Sequence, residues 1–143
     1  MNKKVAHLLG HHITTTARSM HRTLQQNFRE AGFPITSEQW IVLVWLYDQD
    51  GKTQQELCDL THKDKPGMTR ILGNLEKTRL IIRTDDQNDG RTKRVFLTKQ
   101  SKEMEQQLIN IAGATQTKLI NGISAAEIEA CYNVLNKIQK NSK

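Results

Sequence analysis

Little in this 143-residue sequence could support disulfide, membrane or enzyme chemistry. Its two cysteines, Cys58 and Cys131, lie far apart with no CxxC or other metal-ligand spacing, which argues against a disulfide framework and fits a reducing cytoplasm. No apolar run approaches the ~18 residues of a membrane span, and the N-terminus lacks the continuous apolar core of a signal peptide. A phosphate-cradling glycine loop, paired catalytic carboxylates and a cofactor fingerprint are all missing, so neither an enzyme nor a cofactor is expected. Internal repeats, low-complexity tracts and flexible linkers are absent too. The two prolines, Pro34 and Pro66, both stand where helices should end or begin. These absences leave a soluble cytoplasmic protein of one domain, long enough to bury a core.

What is abundant is positive charge. The net charge is +6, and the residues from Gly51 to Gln100 carry eleven Lys/Arg against seven Asp/Glu, whereas the segments on either side each carry five against four. The surplus sits on one central stretch, as binding to an acidic partner such as nucleic acid requires.

That stretch runs from Thr53 to Phe96. Thr53 and Glu56 have the spacing of a capping box, so a helix starts there, with Leu57 and Leu60 expected inward and Cys58 giving a small side chain where a second helix crosses. Pro66 opens the second helix, in which Met68, Ile71, Leu72 and Leu75 follow the i, i+3, i+4, i+7 pattern of a buried face. Lys65, Thr69, Arg70 and Asn74 fall on the other face, supplying cations for phosphates and hydrogen-bonding groups for base edges in a major groove. Leu80–Thr84 and Arg94–Thr98 then read as strands, joined by the turn-forming Asp85–Lys93. Helix, turn, helix and hairpin make a winged helix-turn-helix.

Long helices flank it. Ile13, Ala17, Met20, Leu24 and Phe28 predict a helix over Lys3–Ala31 of about 40 Å, with a bend possible near Gly10 and Thr14–Thr16, ended by Gly32-Phe33-Pro34. Thr36 or Ser37 caps a second helix to about Tyr47, apolar nearly all round and therefore central and buried, and Asp48–Lys52 is a polar turn. After the hairpin, helices are expected over Lys99–Ile120 and, behind an Asn121-Gly122 break, from the Ser124/Glu127 capping box through Ile128, Cys131, Val134, Leu135 and Ile138. The class is mainly α, with residues 36–98 as the winged core and residues 1–35 and 99–143 as helices whose stripes exceed what one small core covers. A second copy of the chain is the expected cover, since two winged helices related by a twofold axis read two half-sites.

Thr53-Gln54-Gln55-Glu56-Leu57, Lys63-Asp64-Lys65-Pro66, Met68-Thr69-Arg70-Ile71-Leu72 and Asn74-Leu75-Glu76-Lys77, followed by Arg83, Asp86, Asp89 and Arg91 at R-x-x-D-x-x-D-x-R spacing, resemble the multiple antibiotic resistance regulator (MarR) family of bacterial transcription factors. The resemblance spans essentially the whole chain, and its wing motif is the specific part. It implies a triangular homodimer that binds a palindromic double-stranded operator, more often as a repressor, and releases it when a small anionic or phenolic effector settles between the dimerisation and DNA-binding parts. Arg91 would enter the minor groove, Asp89 would orient its guanidinium, and Lys93 would add a cation. His12, His21, Trp40 and Trp45 are the candidate effector contacts. Two positions depart from the family: Asn88 stands where many members have arginine, and Arg79 where many have glycine.

Other readings attach to single residues. Cys58 and His62 share a helix face as a nucleophile and base would, yet a small packed cysteine explains the position better. Cys58 or Cys131 could instead sense redox state. His7 and His11 have metal-ligand spacing without a third ligand on their face. A winged helix can also serve as a protein-docking module without DNA, although cations at both groove-reading sites argue against that.

Overall fold

Helical repeats at both ends of the chain and a short β-pattern in the middle give, in the computed structural model, six helices and one small sheet among the described residues, which are residue 4 and residues 7–143. The helices are α1 (Leu9–Glu30), α2 (Ser37–Asp48), α3 (Gln54–Thr61), α4 (Lys65–Lys77), α5 (Lys99–Leu119) and α6 (Ala125–Asn141). The strands are β1 (Lys52–Thr53), β2 (Ile81–Asp85) and β3 (Lys93–Leu97), antiparallel in the order β1-β3-β2. No described helix is long and apolar enough to cross a membrane.

Local sequence explains most of the boundaries. Thr36, Thr53 and Ser124 cap α2, α3 and α6 in reciprocal capping boxes with Gln39, Glu56 and Glu127. Asp64 caps α4 by accepting the Gly67 N–H at 2.7 Å, and Thr98 caps α5. The helix α1 ends in a Schellman motif, in which Gly32 takes a φ of +90° while Phe33 donates to the Phe28 carbonyl at 2.8 Å. The same motif closes α4, where Leu80 donates to the Leu75 carbonyl at 2.9 Å and Arg79 to that of Glu76 at 3.0 Å. There the left-handed position is held by Arg79, at a φ of 61°, rather than by glycine.

Several expectations are corrected. The helix α1 begins at Leu9, giving 22 residues and about 33 Å at 1.5 Å per residue; the start expected at Lys3 lies outside the described residues. It continues through Gly10 and Thr14–Thr16, where Thr14 and Thr16 turn their hydroxyls back onto the carbonyls of Gly10 and His12. Lys52–Thr53 is not a turn but a third strand, pairing with Val95 and Arg94 of β3. In the hairpin, Ile81 faces Leu97 and Asp85 faces Lys93, which moves each strand one residue from the expected range. Leu60 is 37% exposed rather than inward, and Ile41 is also exposed on an otherwise largely covered α2.

The core lies where α2 meets α3, α4, α5 and the sheet. Phe28, Val42, Leu43, Leu46, Leu57, Met68, Leu72, Leu75, Val95 and Leu108 lose all exposure. Truncating one of these leucines to alanine should cost about 2–5 kcal/mol through lost transfer energy and a cavity. Polar ties join the start of α5 to this core: Tyr47 donates to the Ser101 carbonyl at 2.6 Å, Ser101 donates to the Leu80 carbonyl, and Thr98 donates to that of Arg79 at 2.8 Å. Burial, with a smaller push from Glu105, raises the Tyr47 phenol to about 12, so it stays a donor. By contrast α6 buries none of its residues, and Tyr132 and Val134 are more than half exposed.

Candidate nucleic-acid interface

Four residues of α4, Met68, Ile71, Leu72 and Leu75, are buried and pin one face of the helix to α2 and α3. Geometry then forces Lys65, Thr69, Arg70 and Asn74 outward, and all four are exposed. Among the described residues the Lys65 side chain makes no hydrogen bond or ion pair, so its ammonium is available to a phosphate. Thr69 donates to the Lys65 carbonyl at 2.8 Å and accepts from Gln54 at 2.9 Å, which brings the first residue of α3 onto the same surface. Arg70 is not free. Its Nη2 donates to Glu38 Oε2 at 3.0 Å, and the other oxygen of Glu38 accepts from Lys63 at 2.9 Å. Those two hydrogen bonds, Lys63 first, hold the Glu38 carboxyl below its ordinary 4.5 and keep it charged.

The wing is built on Asp86. Its Oδ2 accepts the backbone N–H groups of Asn88 and Asp89, both at 3.1 Å, while its Oδ1 pairs with Arg94. Arg94 also donates to the Gly51 carbonyl at 2.8 Å, so the loop is clamped to the turn before α3. Asp89 takes a different part from the one expected. It accepts the backbone N–H of Arg91 at 3.0 Å and the Thr92 hydroxyl at 2.9 Å, and so shapes the loop instead of holding the Arg91 guanidinium. Among the described residues that guanidinium is exposed and has no partner. The Lys93 ammonium, also expected to be available, is paired with Asp85. Arg83 is tied to Glu76 of α4 at 3.0 Å, linking the wing to the outward helix.

A model of the MarR family matches residues 32–92, from the end of α1 to the wing. Solved structures of similar fold extend the match along the chain. A MarR transcriptional regulator from Methanosarcina mazei is 27% identical, with a TM-score of 0.79 over 94% of this chain and 96% of that one. The S. aureus MepR–DNA complex is 25% identical, with a TM-score of 0.82 over 94% and 98%. A Listeria monocytogenes protein assigned to the same family and crystallised with a 26mer DNA is 26% identical, with a TM-score of 0.80 over 93% and 87%. Residues 32–92 thus match the MarR family model, and most of the chain shares the fold of these solved regulators.

Within this fold the remaining candidates are dispersed. His12 and His21 are exposed on α1; Trp40 packs on Phe28, with ring centroids 5.3 Å apart, and Trp45 is half-buried. A cleft of about 410 Å³ between the α1–α2 loop and α5 is lined by Phe33, Ile35, Leu80, Met104, Glu103 and Gln107 among others, and includes none of these four. His7 precedes α1, so it lacks the helical relation to His11, and no group of three metal-ligating residues occurs among the described residues. Cys58 is buried, and burial followed by the charges of Asp59 and Asp64 raises its thiol, which disfavours a reactive thiolate; Cys131 is exposed. The residues that the sequence left unmarked are Gln54, Glu38, Lys63 and Arg94. Gln54 follows the capping Thr53 directly, a position from which its amide reaches Thr69 of α4. Glu38 and Lys63 stand 25 residues apart and carry no pattern that joins them.

Proposed function

We propose that this chain is a MarR-type dimeric DNA-binding transcriptional regulator, acting as a repressor, that lays α4 in the major groove of a palindromic operator and Arg91 in the adjacent minor groove. The carrying observation is the outward row of Lys65, Thr69, Arg70 and Asn74 opposite a fully buried face, flanked by a wing whose tip arginine is unpartnered. Asn74 and Arg70 offer hydrogen bonds to base edges, and Lys65 and Arg91 offer cations to phosphates and the minor groove. Relatives solved on DNA support the reading. Such a regulator works in the cytoplasm.

The proposed division of labour gives residues 36–98 to DNA and residues 1–35 and 99–143 to dimerisation. Support comes from the apolar side chains that one chain leaves open: Leu8, Leu9, Ile123, Tyr132 and Val134 are each at least 45% exposed. A small anionic or phenolic effector is proposed beside His12, His21, Trp40 and Trp45, in a space that a second chain completes.

A gel shift with promoter DNA flanking the gene, run at two salt concentrations, tests the central reading. A retarded band formed on the promoter fragment in preference to a random duplex, weakening steeply with salt, is expected. Equal, weak retention of both fragments would leave only non-specific charge attraction. In sedimentation, Tyr132→Glu should halve the mass of the free protein, and an unchanged mass would place the interface elsewhere.

A further inference from the structure

Of the four outward residues on α4, Arg70 alone is held by a charged group, and that group lies outside the helix-turn-helix. Glu38 sits in the first turn of α2, where the helix dipole favours a carboxylate. It accepts from Arg70 at 3.0 Å and from Lys63, in the turn between α3 and α4, at 2.9 Å. Arg70 remains 60% exposed at its side chain while so held, whereas Glu38 and Lys63 are 39% and 34% exposed. A guanidinium carries five N–H donors in a rigid plane, so one bond to Glu38 restrains the plane and leaves the other donors free to bond elsewhere. The same carboxylate offsets one of two cations that would otherwise bind any phosphate.

We propose that Glu38 is a specificity-determining positioning residue: it presents Arg70 in one orientation to the bases and withholds Arg70 and Lys63 from sequence-independent phosphate contacts. The proposal rests on the DNA-binding reading. Two effects follow from one side chain. An oriented guanidinium loses less entropy when it meets a matching base edge, which favours the cognate sequence. With one of the two cations offset, the cluster releases fewer counterions on random DNA, which disfavours every other sequence. Non-specific binding is therefore suppressed by a residue that need not touch a base.

The test compares two duplexes: one selected from a random pool by the wild-type protein, and a scrambled duplex of the same composition. Affinities are measured across a salt series for wild type, Glu38→Gln, Lys63→Met, Arg70→Ala and the Glu38→Gln/Arg70→Ala double variant, with thermal melts to verify folding. Glu38→Gln is expected to tighten scrambled-duplex binding, to steepen its salt slope by about 1 and to lower the selected-to-scrambled ratio by about fivefold or more. Lys63→Met removes an ion pair of the same cluster but leaves Arg70 clamped, so its ratio should stay near that of wild type. In the Arg70→Ala background, Glu38→Gln should lower the ratio by less than it does in wild type, because only Lys63 is then released. An unchanged ratio in Glu38→Gln overturns the proposal, as does an equal loss in Lys63→Met, which would make the cluster a structural tie alone. Should Glu38→Gln fail to fold, the Lys63→Met and Arg70→Ala ratios decide: the proposal requires the first to hold and the second to fall. Failure of the wild type to select any duplex would instead overturn the DNA-binding reading itself.

Discussion

Arg94 of the wing donates through Nη1 to the carbonyl of Gly51 at 2.8 Å, while its Nε pairs with Asp86. One side chain thus joins the loop that carries Arg91 to the turn that introduces α3, across 43 residues of sequence. Gly51 adopts a φ of +76°, and a Cβ there would meet the Phe96 ring at 2.8 Å, so the approach of this turn to β3 depends on glycine. Arg94→Ala should free the wing without unfolding the core. Amide exchange at Asn88 and Asp89 should accelerate while α3 and α4 keep their protection, and duplex affinity should fall by about tenfold, as expected when an ordered contact must be ordered anew on binding. Unchanged exchange at the two amides would show that Asp86 orders the loop alone.

The unpartnered Arg91 makes the second prediction. Arg91→Ala should weaken duplex binding by more than about tenfold and leave the oligomeric state intact, because a minor-groove arginine meets a strongly negative potential. Asn88 lies three residues earlier on the same exposed tip, where its backbone N–H is taken by Asp86 and its side chain is unused. Asn88→Arg should therefore raise affinity and steepen the salt slope by about 1, the signature of one added phosphate contact. A titration in which Arg91→Ala matched wild type at fixed salt would remove the wing from the interface.

Periodicity made the buried faces readable: Met68, Ile71, Leu72 and Leu75 obey the helical repeat, so the outward position of Lys65, Thr69, Arg70 and Asn74 followed without coordinates. The capping boxes at Thr53 and Ser124 were equally legible because both partners lie within four residues of each other. Illegible features depend on distance in sequence. Lys52–Thr53 is too short for an alternating pattern and exists as a strand only because β3 lies beside it. Leu60 stands on the helical repeat of α3, yet the described residues leave it 37% exposed. The Glu38–Arg70 and Arg94–Gly51 contacts join residues 32 and 43 apart, and no local rule connects them. Asp89 was correctly placed in the wing, but its lone pairs are occupied by Arg91 N–H and the Thr92 hydroxyl, a turn chemistry that spacing alone does not distinguish from a clamp on the side chain.

Arg79 occupies the left-handed cap position that Gly32 fills at the end of α1. Both close Schellman motifs, but Arg79 has a Cβ that the conformation disfavours by about 1–2 kcal/mol. Its side chain is exposed and, among the described residues, makes no hydrogen bond or ion pair, so Arg79→Gly removes strain and few contacts. Glycine also gains freedom in the unfolded chain, which returns about 0.4–1 kcal/mol of that gain. A net stabilisation of up to about 1 kcal/mol, or about 3 °C in Tm, is expected in a thermal melt. A lower Tm would mean that the arginine stem packs on Leu75 or Leu80 strongly enough to outweigh the strain.

Acid should weaken the fold through a small set of carboxylates. Hydrogen bonds from Lys63 and Arg70 lower Glu38 from its ordinary 4.5, the bond from Arg94 lowers Asp86 from 3.8, and the bond from Arg83 lowers Glu76 from 4.5. A group whose folded pKa is depressed contributes stability that is complete above its unfolded value and is lost as pH falls through its folded value. These three pairs therefore leave stability unchanged between pH 8 and pH 5 and withdraw it below pH 4.5, the ordinary glutamate value. Each pair keeps at least one partner more than a third exposed, so each contribution is modest and screened by salt. Denaturant melts from pH 7 down to the acid limit should show Glu38→Gln with a shallower acid decline than wild type, and Glu76→Gln likewise, while both variants follow wild type in slope above pH 5. An acid decline as steep in the variants as in wild type would mean that other carboxylates, not these ion pairs, govern acid unfolding.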